Sequence, residues 1–327
     1  MIVAQIGSNE SADYQSIQAA IDSIPEDNTQ PITIFIRSGV YNEKLHITKP
    51  FITLIGENAK NTIISYSDYA KKQFPSGQSY GTFNSYTAFI GTNDFTAKNI
   101  TFENTAGIGD EVGQALAAYV DGDRIAFMDC SFLGYQDTLF TGPLPPAPVI
   151  PGSFKGPREN APRINGRQYY ENCFIKGDID FIFGSATAFF HNCTIFSNDI
   201  GKKVNGYITA PSTAAGQAYG YVFDSCKLIS NAPNETVYLG RPWRNFAKSV
   251  FINCEMGPHI ISEGWHDWNK LDSHNTSFFA EGYNTGSGSN FTKRPHWIHE
   301  IIDSAYYSRE KVLSGEDHWT PWVLSSI

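Results

Sequence analysis

Two aspartates, each seven residues past a cysteine, are the first residues in this chain that could do chemistry. In Cys130-Ser-Phe-Leu-Gly134-Tyr135-Gln136-Asp137-Thr-Leu-Phe140 and Cys173-Phe-Ile-Lys-Gly177-Asp178-Ile179-Asp180-Phe-Ile-Phe183, Gly134 aligns with Gly177 and Asp137 with Asp180. Each acid runs into an apolar, β-type stretch, where a carboxylate is costly to bury unless something pairs with it. If the two segments are neighbouring strands in register, their backbones lie about 4.8 Å apart. Carboxylates that close do not ionise independently; one pKa rises and the other falls. Such a pair offers a protonated acid and an ionised nucleophile at one pH. Leu239-Gly-Arg241-Pro242-Trp243 supplies a cation for the ionised member, because Pro242 biases Arg241 toward an extended conformation and a guanidinium binds a carboxylate through two parallel hydrogen bonds. Gln114 and Gln136 carry amides able to donate to a developing oxyanion. In an extended strand Gln136 and Asp137 point to opposite faces, so both serve one site only if the chain bends there. A competing reading remains at this point: the two aspartates form a ladder at a turn, held by backbone donors or calcium, and Arg241 is a surface residue. Asp178 aligns with Tyr135 and receives no catalytic role.

The elements that position these residues form a loose repeat. Lys98-Asn-Ile-Thr-Phe, Met128-Asp-Cys-Ser-Phe, Glu171-Asn-Cys-Phe-Ile, His191-Asn-Cys-Thr-Ile, Asp224-Ser-Cys-Lys-Leu and Ile252-Asn-Cys-Glu-Met follow at steps of 30, 43, 20, 33 and 28 residues. The strands are short and no helices alternate with them, which excludes a doubly wound sheet and fits an all-β parallel β-helix whose insertions leave the stack as loops. Cys130, Cys173, Cys193, Cys226 and Cys254 then form an inward ladder with Ile100. Free, buried thiols are expected, since the odd number and the spacing match no zinc pattern. Residues 13–24 are expected to be helical, with Asp13 as N-cap and Pro25 ending the run. Short strands follow at Ile32–Ile36, Phe51–Gly56 and Thr62–Tyr66. Six prolines between residues 143 and 157 place a loop at 141–163, beside the two acids. The aromatic C-terminal stretch, including Trp265, Trp268, Trp297, Trp319 and Trp322, is expected to pack, with residues 298–312 helical and laid over the stack. The whole of residues 1–327 is read as one domain.

A net charge of −9 argues against a nucleic-acid surface. No apolar run reaches the length of a transmembrane helix, and the first residues have neither the basic start nor the apolar core of a signal peptide. With 14% aromatic and 17% charged residues, a large buried core is expected and disorder is not.

The chain resembles the pectin methylesterases (pectinesterases) of carbohydrate esterase family 8, which are right-handed parallel β-helix enzymes. The resemblance is carried by Gly39-Val-Tyr-Asn-Glu43, Ile100-Thr-Phe-Glu-Asn-Thr-Ala-Gly107, Gln114-Ala-Leu-Ala-Ala118, Tyr135-Gln-Asp-Thr-Leu139, Asp180-Phe-Ile-Phe-Gly184 and Leu239-Gly-Arg-Pro-Trp243, in family order over most of the chain. It implies hydrolysis of the C6 methyl esters of galacturonate units in pectin or its oligosaccharides, through an acyl-enzyme. Asp180 is the implied nucleophile and Asp137 the implied acid and base. Gln114 and Gln136 are the implied oxyanion donors, and Arg241 the partner of Asp180. Phe183, Trp243, Phe140 and Tyr135 fall where sugar contacts are expected. The resemblance implies no cofactor and no metal, a monomer, and a secreted enzyme, or alternatively a cytoplasmic one acting on imported oligogalacturonides. Phe140 replaces a family tyrosine, Gln-Ala-Leu-Ala-Ala departs from the family's Gln-Ala-Val-Ala-Leu, and the proline-rich loop is longer than in plant members. Two rivals remain: a polygalacturonan glycosidase using the paired acids, and a non-catalytic pectin-binding β-helix.

Overall fold

A computed structural model describes residues 1–5 and 11–326. The repeat closes into a right-handed parallel β-helix of three sheets, with eleven, eight and seven strands among the described residues. Each circuit takes one strand from each sheet. One runs through Ile125–Met128, Ser131–Leu133 and Leu139–Thr141, and the next through Arg167–Glu171, Phe174–Gly177 and Ile179–Gly184. Each paired strand lies parallel to the equivalent strand of the next circuit, as in Ser131 against Phe174 and Leu139 against Ile182.

The small polar residue before each ladder position has a conformational cause. Asn99, Asp129, Asn172, Asn192, Ser225 and Asn253 all adopt left-handed backbone, with φ between 51° and 58°. Asn and Asp tolerate this region better than other side chains carrying a Cβ. A single such residue turns the chain from the eleven-stranded sheet into the eight-stranded one. The side chains bridge circuits too: Asn192 donates to Asn172 at 2.7 Å, and Asn253 to Asp224 at 2.8 Å. The residue that follows then points inward. Ile100 and all five cysteines are buried, and the cysteines are free thiols. Burial holds the thiols protonated; Cys130 is pushed up to about 12. Beside them runs a second inward column, Phe127, Tyr170, Phe190, Phe223 and Phe251, whose successive rings are near-parallel with centroids 4.4 to 5.2 Å apart.

A helix covers the N-terminal end of the stack. The N-terminal helix is shorter than expected, Ile17–Asp22, and its N-cap is Ser16 rather than Asp13. Asp13 instead accepts from the Ile2 amide at 2.8 Å. Glu43 completes the cap from a distant loop, accepting from the Ser16 hydroxyl and from the Ile17 and Gln18 amides. Its charge suits the orphan donors of a helix start. Ile17, Ala20 and Ile21 close the core at that end. The expected helix at 298–312 is broken up: His299–Glu300 extends the large sheet, Ser304–Tyr307 is 3-10, and only Arg309–Leu313 is α-helical. Asp303 and Ser308 each cap the turn that follows them, which interrupts a continuous helix. This tail lies along the outer face of the eleven-stranded sheet, with Val312 and Leu313 in one buried cluster with Met128, Tyr169 and Phe189. Among the described residues no helix is long and apolar enough to cross a membrane.

Candidate active site

The outer face of the seven-stranded sheet carries an open groove of about 370 Å³. Gln114, Gln136, Asp137, Asp180, Phe183, Arg241 and Trp243 all line it, so seven of the nine residues singled out from the sequence meet there.

The two aspartates are in the predicted register. Leu139 pairs with Ile182, and the Asp137 amide donates to the Ile179 carbonyl at 3.0 Å, which sets Asp137 beside Asp180 on adjacent circuits. Both have left-handed backbone, φ 63° at Asp137 and 52° at Asp180. The pairing of Ile179–Gly184 with the next strand also slips between Ile179 and Ile182, around Asp180. This is the bend that the alternation of Gln136 and Asp137 required: the chain turns at Asp137, so both side chains reach one groove. Asp tolerates this region better than most side chains with a Cβ, so both acids make the bend at low cost. Gly109 leaves room for the amide of Gln136, since a Cβ there would sit 2.2 Å from its Oε1.

Arg241 clamps Asp180 from both sides of its fork, Nε to Oδ1 at 2.8 Å and Nη2 to Oδ2 at 2.7 Å. The guanidinium is itself held between two rings, with Tyr207 and Trp268 each 3.7 Å from it. Neither ring was singled out as a site residue from the sequence. Trp268 was expected to be packing, and no local pattern marks Tyr207, which lies on the circuit after Asp180. Their role exists only once Arg241 has been placed between them.

Burial raises the pKa of both acids. At Asp137 the charge of Asp180 adds to the rise; at Asp180 the hydrogen bonds and charge of Arg241 oppose it. Asp180 therefore ionises first and Asp137 keeps its proton. Asp178 is separate: it does not line the groove, one oxygen accepts from the Ile179 amide at 2.7 Å, and burial pushes its carboxyl up to about 6.

A stability consequence follows. The native pKa of Asp137 lies well above the unfolded value, so the native state holds a proton that the unfolded chain has released. Stability is lost as pH rises through that window. Asp137→Asn removes the loss and suits φ 63°. It is expected to raise Tm, by more at pH 7 than at pH 4, in paired thermal melts.

One sugar-contact expectation is corrected. Phe140 is fully buried under the groove, 5.0 Å from Phe83 and 4.9 Å from Phe183 by ring centroids, so it supports the floor and faces no ligand. Tyr135 is half-buried and lies outside the groove lining, where its carbonyl accepts from the Asp178 amide. The proline-rich loop leaves after Thr141 and returns to form one rim, with Ile150 and Phe154 in the lining. Among the described residues no group of three or more His, Cys, Asp or Glu is placed to hold a metal ion.

A family model described as Pectinesterase matches residues 1–143 and 156–312. Pectinesterase 31 of Arabidopsis thaliana is 34% identical over 98% of this chain and 95% of its own length. The pectin methylesterase from carrot superposes with a TM-score of 0.81 at 29% identity, over 99% of this chain and 95% of that one. A crystal structure of pectin methylesterase in complex with a hexasaccharide gives a TM-score of 0.80 at 29% identity, over 98% and 97% of the two chains.

Proposed function

The chain belongs to the pectinesterase family, and from that membership we propose that it hydrolyses the C6 methyl esters of galacturonate units in pectin, with Asp180 as nucleophile and Asp137 as proton carrier. The observation that carries this reading is the clamp of Arg241 on Asp180 beside a register-matched, buried Asp137. A carboxylate held ionised in a buried groove, next to a carboxylic acid, is what attack on a neutral ester requires.

The ionised oxygen of Asp180 attacks the ester carbonyl carbon, and the carbonyl π electrons move onto its oxygen. Gln114 and Gln136 donate to that oxyanion. The oxyanion collapses, the bond to methoxide breaks, and Asp137 delivers its proton so that methanol leaves. The product is an anhydride between Asp180 and the C6 carboxyl. Water attacks the sugar carbonyl of this anhydride while Asp137, now ionised, takes a proton from it. Asp180 departs as carboxylate and resumes its pairing with Arg241. Phe183 and Trp243 form the aromatic floor and wall for the sugar. Pectin is a cell-wall polymer, which supports a reaction outside the cell over one on imported oligogalacturonides.

The test is product analysis on highly methylated pectin. The protein is expected to release methanol without lowering the viscosity of the polymer. Chain shortening without methanol would instead indicate a glycosidase using the same pair of acids. Pectin binding with neither product would indicate a non-catalytic protein.

A further inference from the structure

The matched stretches of the family model leave out residues 144–155, and this segment builds one rim of the groove. The rim is firmly held. Arg158 pairs with Asp121 at 3.0 Å, and Arg163 ties the loop to itself through the carbonyls of Glu159 at 2.7 Å and Pro145 at 3.2 Å. Phe154 is buried, packing edge-on against Phe83 at 5.7 Å and Trp243 at 6.2 Å. At the tip, between Pro148 and Pro151, stand Val149 and Ile150. Both line the groove that holds Asp137 and Asp180, yet they are 80% and 69% exposed. Two branched aliphatic chains are thus displayed at the reaction site with little to cover them.

We propose that Val149 and Ile150 read the methylation state of the galacturonate unit beside the one being hydrolysed, and favour an esterified neighbour. The inference rests on the esterase reading. Neither side chain can donate a hydrogen bond, so a free carboxylate seated against them gives up hydration with no replacement. A methyl ester there covers them instead, each buried methyl adding about fourfold in binding. Two arginines line the same groove: Arg241 is committed to Asp180, and Arg244 is directed at backbone, donating to the carbonyls of Trp243 at 3.0 Å and Ala147 at 3.3 Å. The enzyme therefore works on esterified runs and slows where neighbours have lost their methyl groups. It scatters free acids along the polymer rather than extending blocks of them.

The test compares kcat/KM on galacturonate oligosaccharides with one target ester flanked either by esters or by free acids. For the wild type the ester-flanked substrate is expected to be preferred by about fourfold or more. In Val149→Ser/Ile150→Ser that ratio is expected to fall toward one, with the change in KM. Both positions are solvent-facing, so the fold is expected to survive, as circular dichroism would check. A wild-type ratio at or below one, or an unchanged ratio in the double variant, overturns the proposal. Failure of the wild type to release methanol from either substrate would instead overturn the esterase reading beneath it.

Discussion

Asp180→Asn is expected to lower methanol release by at least about 10⁴-fold, the scale on which loss of a nucleophile is felt. The amide is nearly isosteric, so the groove keeps its shape, but it has no anionic oxygen to attack an ester. It also meets Arg241 badly. The two hydrogen bonds at 2.8 and 2.7 Å require two acceptors, and Asn presents only one. Substrate affinity is expected to change far less than kcat, because Phe183 and Trp243 remain in place. Retention of full activity by the variant would remove Asp180 from the mechanism.

Arg241→Met is expected to be the next most damaging change, by roughly 10²-fold or more at neutral pH. Without the guanidinium, nothing of comparable strength opposes the rise that burial imposes on the Asp180 pKa. The sign is definite. The proposed mechanism requires ionised Asp180, so a higher pKa is expected to move the acid limb of the pH–rate profile upward. Arg241→Lys is expected to recover little, because an ammonium cannot fork across both oxygens or lie flat between Tyr207 and Trp268. The check is the profile of kcat/KM against pH for the three proteins. An acid limb unmoved in Arg241→Met would mean that the clamp does not control ionisation of Asp180.

The core of the site was legible because it is written in the repeat. The Asn-Cys and Asp-Cys pairs give the period, since a left-handed residue is needed at the same corner of each circuit. Once the period is known, Asp137 and Asp180 fall side by side without reference to side-chain geometry. What was not legible depends on contacts between non-adjacent parts of the chain. Trp268 reaches Arg241 from beyond the last complete circuit, and Tyr207 from the circuit between Asp180 and Arg241. The Ser16 cap was legible and missed, since its hydroxyl accepts locally from the Ala19 amide at 3.2 Å; only the support Glu43 adds from more than twenty residues away lay outside the local signal. Phe140 misled for a related reason: its neighbour in sequence, Asp137, turns out toward the groove at a bend, while Phe140 lies beyond it in a covered strand.

The residues around the reaction come from successive circuits of the stack: Gln114 before Ala118–Val120, Asp137 before Leu139–Thr141, Asp180 within Ile179–Gly184, Tyr207 within Gly206–Pro211, and Arg241 after Val237–Gly240. In a stack each circuit contacts only its neighbours, so opening starts where a circuit has one neighbour instead of two. Those places are the ends, and the site lies inside them. Heat can therefore loosen the terminal circuits while the interior ones, and the alignment of the two acids, persist. The working lifetime of the enzyme on warming is set by its middle circuits, and its first spectroscopic changes are set by its ends.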